Sequence, residues 1–445
     1  MHSGAERPAV GPLSGHGFVL PDDPVDERRT LARAYTRYLA ACCQRFLAIE
    51  MWLPAELRPA HAGIARLVRQ ALERGQQDLM LSCFASPMVG TPVQCVELRD
   101  ELPQFQARID DAAAAMLPHL LFEMTLHGLI PDGQSVLWEH GAPPLASLAL
   151  GGELVPPAGA RGWRFSPSHL AAIGRDAELE RLPVQREAMS QALLEDACGF
   201  RFEQRFWRVG DGAHLATVDH NPIAAFEAHP DKAGNHVDLG GRGAAEWIAA
   251  LEQSFSLVER FMPGEFAEMQ LLLQEIIPVG YDDVRHLSAS YREAVGTVYL
   301  TLHPNLMTMT EAVIHEFQHN KFNVAAHSVE LLTNAFHPLF KSPVRPDPRP
   351  LWGIALAVHA FLPVAELYRR MRDGGHPLAA LPEFERRMAE IDLKNHEGME
   401  MLRAHAGFTP AGRALFDDLE GLERRHLADR TARGLANTPT DVHLA

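Results

Sequence analysis

From Val25 to Trp52 apolar residues recur at three- and four-residue steps: Leu31, Ala34, Tyr35, Tyr38, Leu39, Cys42 and Phe46. That period belongs to a helix with one face turned to a core. Similar patterning predicts helices near 56–83 and 102–128, so the first third of the chain reads as a helical layer. Residues 130–168, rich in Gly and Pro, read as a long irregular connection, and a helix is expected near 177–196. The period then falls to two. Arg201 to Val209 alternates, Gly210-Asp211-Gly212 supplies a turn, and His214 to Val218 returns, the pattern of a hairpin. Ala244 to Phe261 is again helical, while Gln274–Val279 and Thr297–Leu302 read as strands. The expected fold is α+β, mainly α: a helical N-terminal region plus a small antiparallel sheet packed beside a helix that starts near 308. Four regions are expected: a loose arm at 1–23, a mainly helical region at 24–196, a domain at 197–430 that carries the chemistry, and a tail at 431–445.

That chemistry rests on MTMTEAVIHEFQHNKFNVAAH. Thr308 and Glu311 have the spacing of a capping box, which would start the helix there. His315 and His319 are four apart and stack on one helix face, so both imidazoles can bind one metal ion. Glu316, beside the first His, can handle protons for a metal-bound water. His-Glu-x-x-His also arises by chance, the more so with 23 His in the chain. The strand before it and the capping signal favour a site.

The third ligand decides the reaction. A metzincin needs Gly at 322 and His at 325, where this chain has Phe322 and Ala325, so that class is excluded. A thermolysin-like enzyme needs a Glu from a following helix, for which Glu330 and Glu366 are candidates; His327, His337, Asp347 and His359 are others. His359 is the strongest. Pro346, Pro348 and Pro350 hold a lead-in extended, Pro350 suits a helix start, and His359 then falls about two turns inside an apolar helix. A buried imidazole without a partner costs free energy that a metal would offset.

Charge and composition narrow the partners. The net charge of −16 argues against a nucleic acid, which needs clustered Lys and Arg. Five Cys (Cys42, Cys43, Cys83, Cys95 and Cys198) form no C-x-x-C pair, so free thiols in a reducing compartment are expected. The N-terminus has no secretory pattern, and no run of about 18 apolar residues stands out, so no membrane partner and a cytoplasmic location are expected. The sequence leaves the oligomeric state unknown.

Several stretches together resemble the HEXXH-motif peptide-modification family found with ribosomally made peptide natural products: HLATVDHNP, GRGAAEW, HLSAS, GTVYLTLH, EAVIHEFQHNKFN and RPDPRPLWGIALAVHAF, spanning roughly residues 200–372. Members were formerly labelled metalloproteases. The resemblance implies a different activity, an iron(II)- and 2-oxoglutarate-dependent dioxygenase that hydroxylates the β-carbon of a residue in a precursor peptide. It maps the iron ligands onto His315, His319 and His359, and the 2-oxoglutarate carboxylate onto an Arg of the Pro-rich stretch, Arg349 before Arg345. His286, Ser288 and Ser290 are candidates for the pocket wall, Ser290 for cofactor contact. Glu316 would then orient a ligand or relay a proton. Two alternatives stay open: a zinc metallopeptidase with Glu316 as general base, and a non-catalytic peptide-binding protein on the same scaffold. Peptide recognition is assigned by elimination to the helical region at 24–196.

Overall fold

The three-and-four periodicity of the first third becomes helices α1 (Asp26–Ala48), α2 (Arg58–Glu73), α3 (Gln77–Ala85), α4 (Pro87–Cys95) and α5 (Gln106–Leu126). These belong to a computed structural model that describes residues 18–21, 26–194, 199–224, 235–345 and 347–435. Cys198, Pro346 and most of the expected arm and tail lie outside the described residues, as does the expected boundary at 196/197. The part of the arm at 18–21 is not loose: Phe18, Val19 and Leu20 are buried in the core.

The Gly- and Pro-rich stretch at 130–168 is not irregular. It holds short strands β1 (Val136–Trp138), β2 (Leu145–Ser147), β3 (Gly152–Val155) and β4 (Gly162–Phe165). They are followed by β5 (His169–Ile173) and β6 (Glu178–Pro183), so the helix expected near 177–196 shrinks to α6 (Arg186–Leu194). These strands are brief and set among Gly and Pro, so their alternation is masked, and the glycines between them serve as turns. β1, β4, β5 and β6 form one antiparallel sheet, and β2, β3 and β7 (Arg201–Gln204) another.

The predicted hairpin is β8 (Phe206–Val209) with β9 (Ala213–Ala216). It joins a five-stranded sheet in the order β11-β12-β10-β9-β8, with β10 (Glu275–Tyr281), β11 (Ser288–Ala289) and β12 (Thr297–Leu302). This sheet is mixed, where the alternation suggested an antiparallel one. β10 runs parallel to both β9 and β12. A parallel pair needs a long crossover, and α7 (Ala244–Phe261) and α8 (Pro263–Leu272) supply it between β9 and β10. Every residue of β12 is buried, as a strand covered on both faces requires.

β12 delivers the chain directly into α9 (Leu306–Ser328), the helix of the His-Glu-x-x-His motif. A two-stranded ribbon, β13 (Leu339–Phe340) with β14 (Arg349–Pro350), then leads into α10 (Leu351–Asp373), followed by α11 (Pro382–His405) and α12 (Pro410–Ala432). The fold is thus mainly α within α+β. α9 and α10 lie antiparallel: Phe322 meets Trp352, His315 meets Phe361, and Glu311 meets Tyr368. By length and composition α10 could cross a membrane, contrary to the sequence expectation, but most of it is buried inside the protein. Its apolar residues join a single core that also takes in residues of α1–α5 and of α7–α9.

Candidate metal centre

The helix that carries the motif is fixed at both its start and its middle. Its cap is Asn305, whose side-chain oxygen accepts from the Met307 and Thr308 amides at 2.8 and 3.2 Å. The capping box expected from Thr308 and Glu311 does not form. Glu311 instead accepts from Arg387 and Tyr368 across the packed helices. Immediately after the second histidine, Asn320 accepts from the Gly296 amide at 2.7 Å and donates to the Glu316 and Thr297 carbonyls. Gly296 takes φ +90°, so a side chain there would be strained. This clamp ties α9 to the start of β12. It escaped the sequence reading, although the Asn beside His319 was its signal.

His315, Glu316 and His319 each bring one donor atom to within 4.8 Å of the others. The two rings sit 4.2 Å apart between centroids, close to edge-on. Glu316 is buried, and one of its oxygens lies 3.9 Å from His315 Nε2. Burial pushes the His315 pKa down to about 4, with Glu311 pulling the other way. Burial also holds His319 well below the ordinary range, and the His315 and His359 rings add to it. Both are therefore neutral at physiological pH, the state in which imidazole offers a lone pair to a metal.

His359 does not join this tight group: its nitrogens are not within 4.8 Å of all the others. It is fully buried between Phe322 and Phe18, at ring distances of 5.2 and 6.2 Å. Burial, then Lys321, keep it well below the usual histidine range. It faces the Gln318 backbone, yet neither ring nitrogen makes a bond of normal geometry. The Nδ1 atoms of His315 and His319 are also buried without a hydrogen-bond partner. Each such orphan costs about 1–3 kcal/mol. Orphans crowded on one helix and its neighbour fit a site built for an ion.

The flank of α9 next to this cluster carries a second polar group. Gln318 donates to Glu265 and to the Val19 carbonyl, and Lys321 to Glu268 and the same carbonyl. The Lys321 ammonium also lies over the Phe18 ring at 5.3 Å. Burial raises the pKa of Glu265 and that of Glu268, the latter to about 7, against the opposing pull of Lys321. Sequence reading could not foresee this group, because the partners of Gln318 and Lys321 lie some 50 and 300 residues away.

The remaining candidates separate. Glu366 is engaged by Arg370 at 2.8 Å and by His426 at 3.0 Å, which hold it down to about 2 despite burial, so its carboxylate is committed elsewhere. His327 faces the Arg292 carbonyl at 3.2 Å, the role of a satisfied histidine. Asp347 pairs with both Arg345 and Arg349, at 3.1 and 2.9 Å. Arg349 packs against the first turn of α10, close to Gly353. Glu330 and His337 are exposed just past α9. Ser288 pairs opposite Leu300, the Ser290 hydroxyl is buried without a partner, and His286 faces His303 at 6.4 Å. Compared with known proteins, the chain matches no family model and no curated sequence.

Proposed function

We propose that the chain is an iron(II)- and 2-oxoglutarate-dependent oxygenase of the cytoplasm that hydroxylates the β-carbon of a residue in a ribosomally synthesised precursor peptide. The observation that carries the reading is the convergence of His315 and His319, on the one helix face that is not fully buried, with the buried carboxylate of Glu316 beside them and the orphaned His359 on the neighbouring helix. Two neutral imidazoles with one further ligand leave positions open for a keto acid and dioxygen. The third ligand is His359 in this reading. Bound iron supplies the oxidative chemistry, in which the keto acid loses carbon dioxide, one oxygen atom enters the peptide and the other the resulting succinate.

The protein's own residues do the rest. His315 and His319 stay unprotonated because the packing around them strips most water from their rings. Arg349, paired with Asp347 here, would hold the far carboxylate of the keto acid in place of that aspartate, with Arg345 as its neighbour. Ser290 offers a hydroxyl for hydrogen bonding. Phe361, 4.4 Å from His315, limits water at the ring.

One observation favours a second reading. Glu316 is buried with an oxygen 3.9 Å from His315 Nε2, where a general base of a zinc hydrolase would stand. Anaerobic loading with iron(II), then titration with 2-oxoglutarate under visible spectroscopy, separates the two. A weak charge-transfer band is expected, lost in His319→Ala and His359→Ala and needing more keto acid in Arg349→Ala. No band, with tightly held zinc and peptide hydrolysis that Glu316→Gln abolishes, would overturn the oxygenase in favour of the hydrolase.

A further inference from the structure

From Thr308 to His327 α9 is buried almost all round. Only Thr308, His315, His319, Ala326 and His327 keep partial exposure. At about 100° per residue the first four fall within about 40° of one another, so they form one narrow stripe along the helix. On α10 the only partly exposed side chain between Ala357 and Ala365 is Phe361, which packs on His315. The stripe therefore reaches the surface only as a narrow line of partial exposure, a slit with the two histidines midway along it.

A cavity lies at each end. At the start of α9, Thr308 and Glu311 help line one of about 410 Å³, closed on the far side by Tyr368 and Arg387. Beyond its other end, Ala326 and His327 help line one of about 640 Å³ with Phe336 and Trp352. Thr308 to Ala326 spans about 27 Å at 1.5 Å per residue. An extended chain covers that distance with about eight residues at about 3.3 Å each. A small ligand would need one cavity, not two joined by a slit. The larger cavity also has an uncovered aromatic wall. Phe336 is 55% exposed and stacks on Trp352 at 5.9 Å, with Leu339, 57% exposed, three residues further on.

We propose that this slit binds an unfolded peptide segment of about eight residues, one side chain over His315 and His319 and an aromatic side chain seated against Phe336 and Trp352. The chemistry done on that segment rests on the oxygenase reading; the binding geometry does not. Recognition of the modified segment thereby moves from the N-terminal helices to the α9–α10 pair and the loop after α9.

The test is a selection of random twelve-residue peptides on the immobilised, zinc-loaded full-length protein. Aromatic residues are expected to be enriched at least tenfold at one position. That enrichment should vanish in Phe336→Ser, a change at an exposed side chain. Ala326→Trp, which fills the slit, should lower recovery of all peptides at least tenfold. Zinc content and circular dichroism of both variants should match the parent. Peptides recovered without a fixed aromatic position, no recovery at all, or recovery indifferent to Ala326→Trp would overturn the proposal. Metal and keto acid binding are read separately, so a missing charge-transfer band with intact peptide selection would sink the oxygenase and leave the slit standing.

Discussion

Lys321 carries an ammonium into the core because Glu268 and Glu265 are there to receive it. Removing one partner of such a group strands a buried charge, at a cost of about 3–5 kcal/mol. Lys321→Met should lower the unfolding free energy by about that much in urea titrations, and Lys321→Met with Glu268→Gln should recover part of it. A double variant no more stable than the single one would show that the two side chains are not coupled. The pair His315 and His319 is the part of the candidate site legible at this scale, because four-residue spacing on a helix is purely local. His359 was legible as an apolar-face histidine lacking an obvious partner. The commitment of Glu366 to Arg370 and His426 was not, since His426 is 60 residues away and only folding brings it near.

Helices were readable where a three-and-four period persists, as in α1, α7 and α10, and the strands that were not readable, β1 to β6, sit among the Gly and Pro of 130–168 or directly after them. The start of α9 shows the limit of motif spacing. Thr308 and Glu311 match a capping box, but Asn305 takes the cap one turn earlier because β12 ends there and its side chain reaches the free amides first. Asn305→Ala should cost about 1 kcal/mol, seen as a lower midpoint with an unchanged denaturant slope. Thr308→Ala should cost much less; equal losses would restore the Thr308 cap. The slit lay beyond sequence reading for a different reason. Which stripe of an apolar helix stays open depends on what α10 and the loop after α9 leave uncovered.

Across the whole molecule, buried acids outnumber their counter-charges at several places. Burial pushes Glu123 up to about 7, Glu275 to about 8 and Asp219 to about 6, with Asp219 adding to the effect on Glu275. In the unfolded chain these groups ionise near pH 4. The folded state thus keeps protons that the unfolded state has released, and stability falls as pH rises through this window, the loss complete above about 8. Buried His220, held down to about 3, and His327, about 4, act oppositely, since the unfolded chain takes up their protons below about 6.5. Thermal midpoints should therefore peak near roughly pH 6 and decline toward 8.5, a decline that Glu275→Gln makes shallower. A midpoint that rises from pH 6 to 8.5 would contradict this balance. The buried segment at 18–21 bears on the same whole in another way. Its carbonyl at Val19 is held by residues of α9, its Phe18 ring lies against His359 of α10, and its Phe18 amide donates to Asp418 of α12 at 3.2 Å. Some 400 residues separate the ends of that last bond. At about 5–20 residues per second on the ribosome, the first apolar residues of this core wait roughly 20–80 seconds for their partners to be made. Closure of the core around this segment must wait until Asp418 has been made, and until then Phe18, Val19 and Leu20 are open to whatever chaperone meets the growing polypeptide.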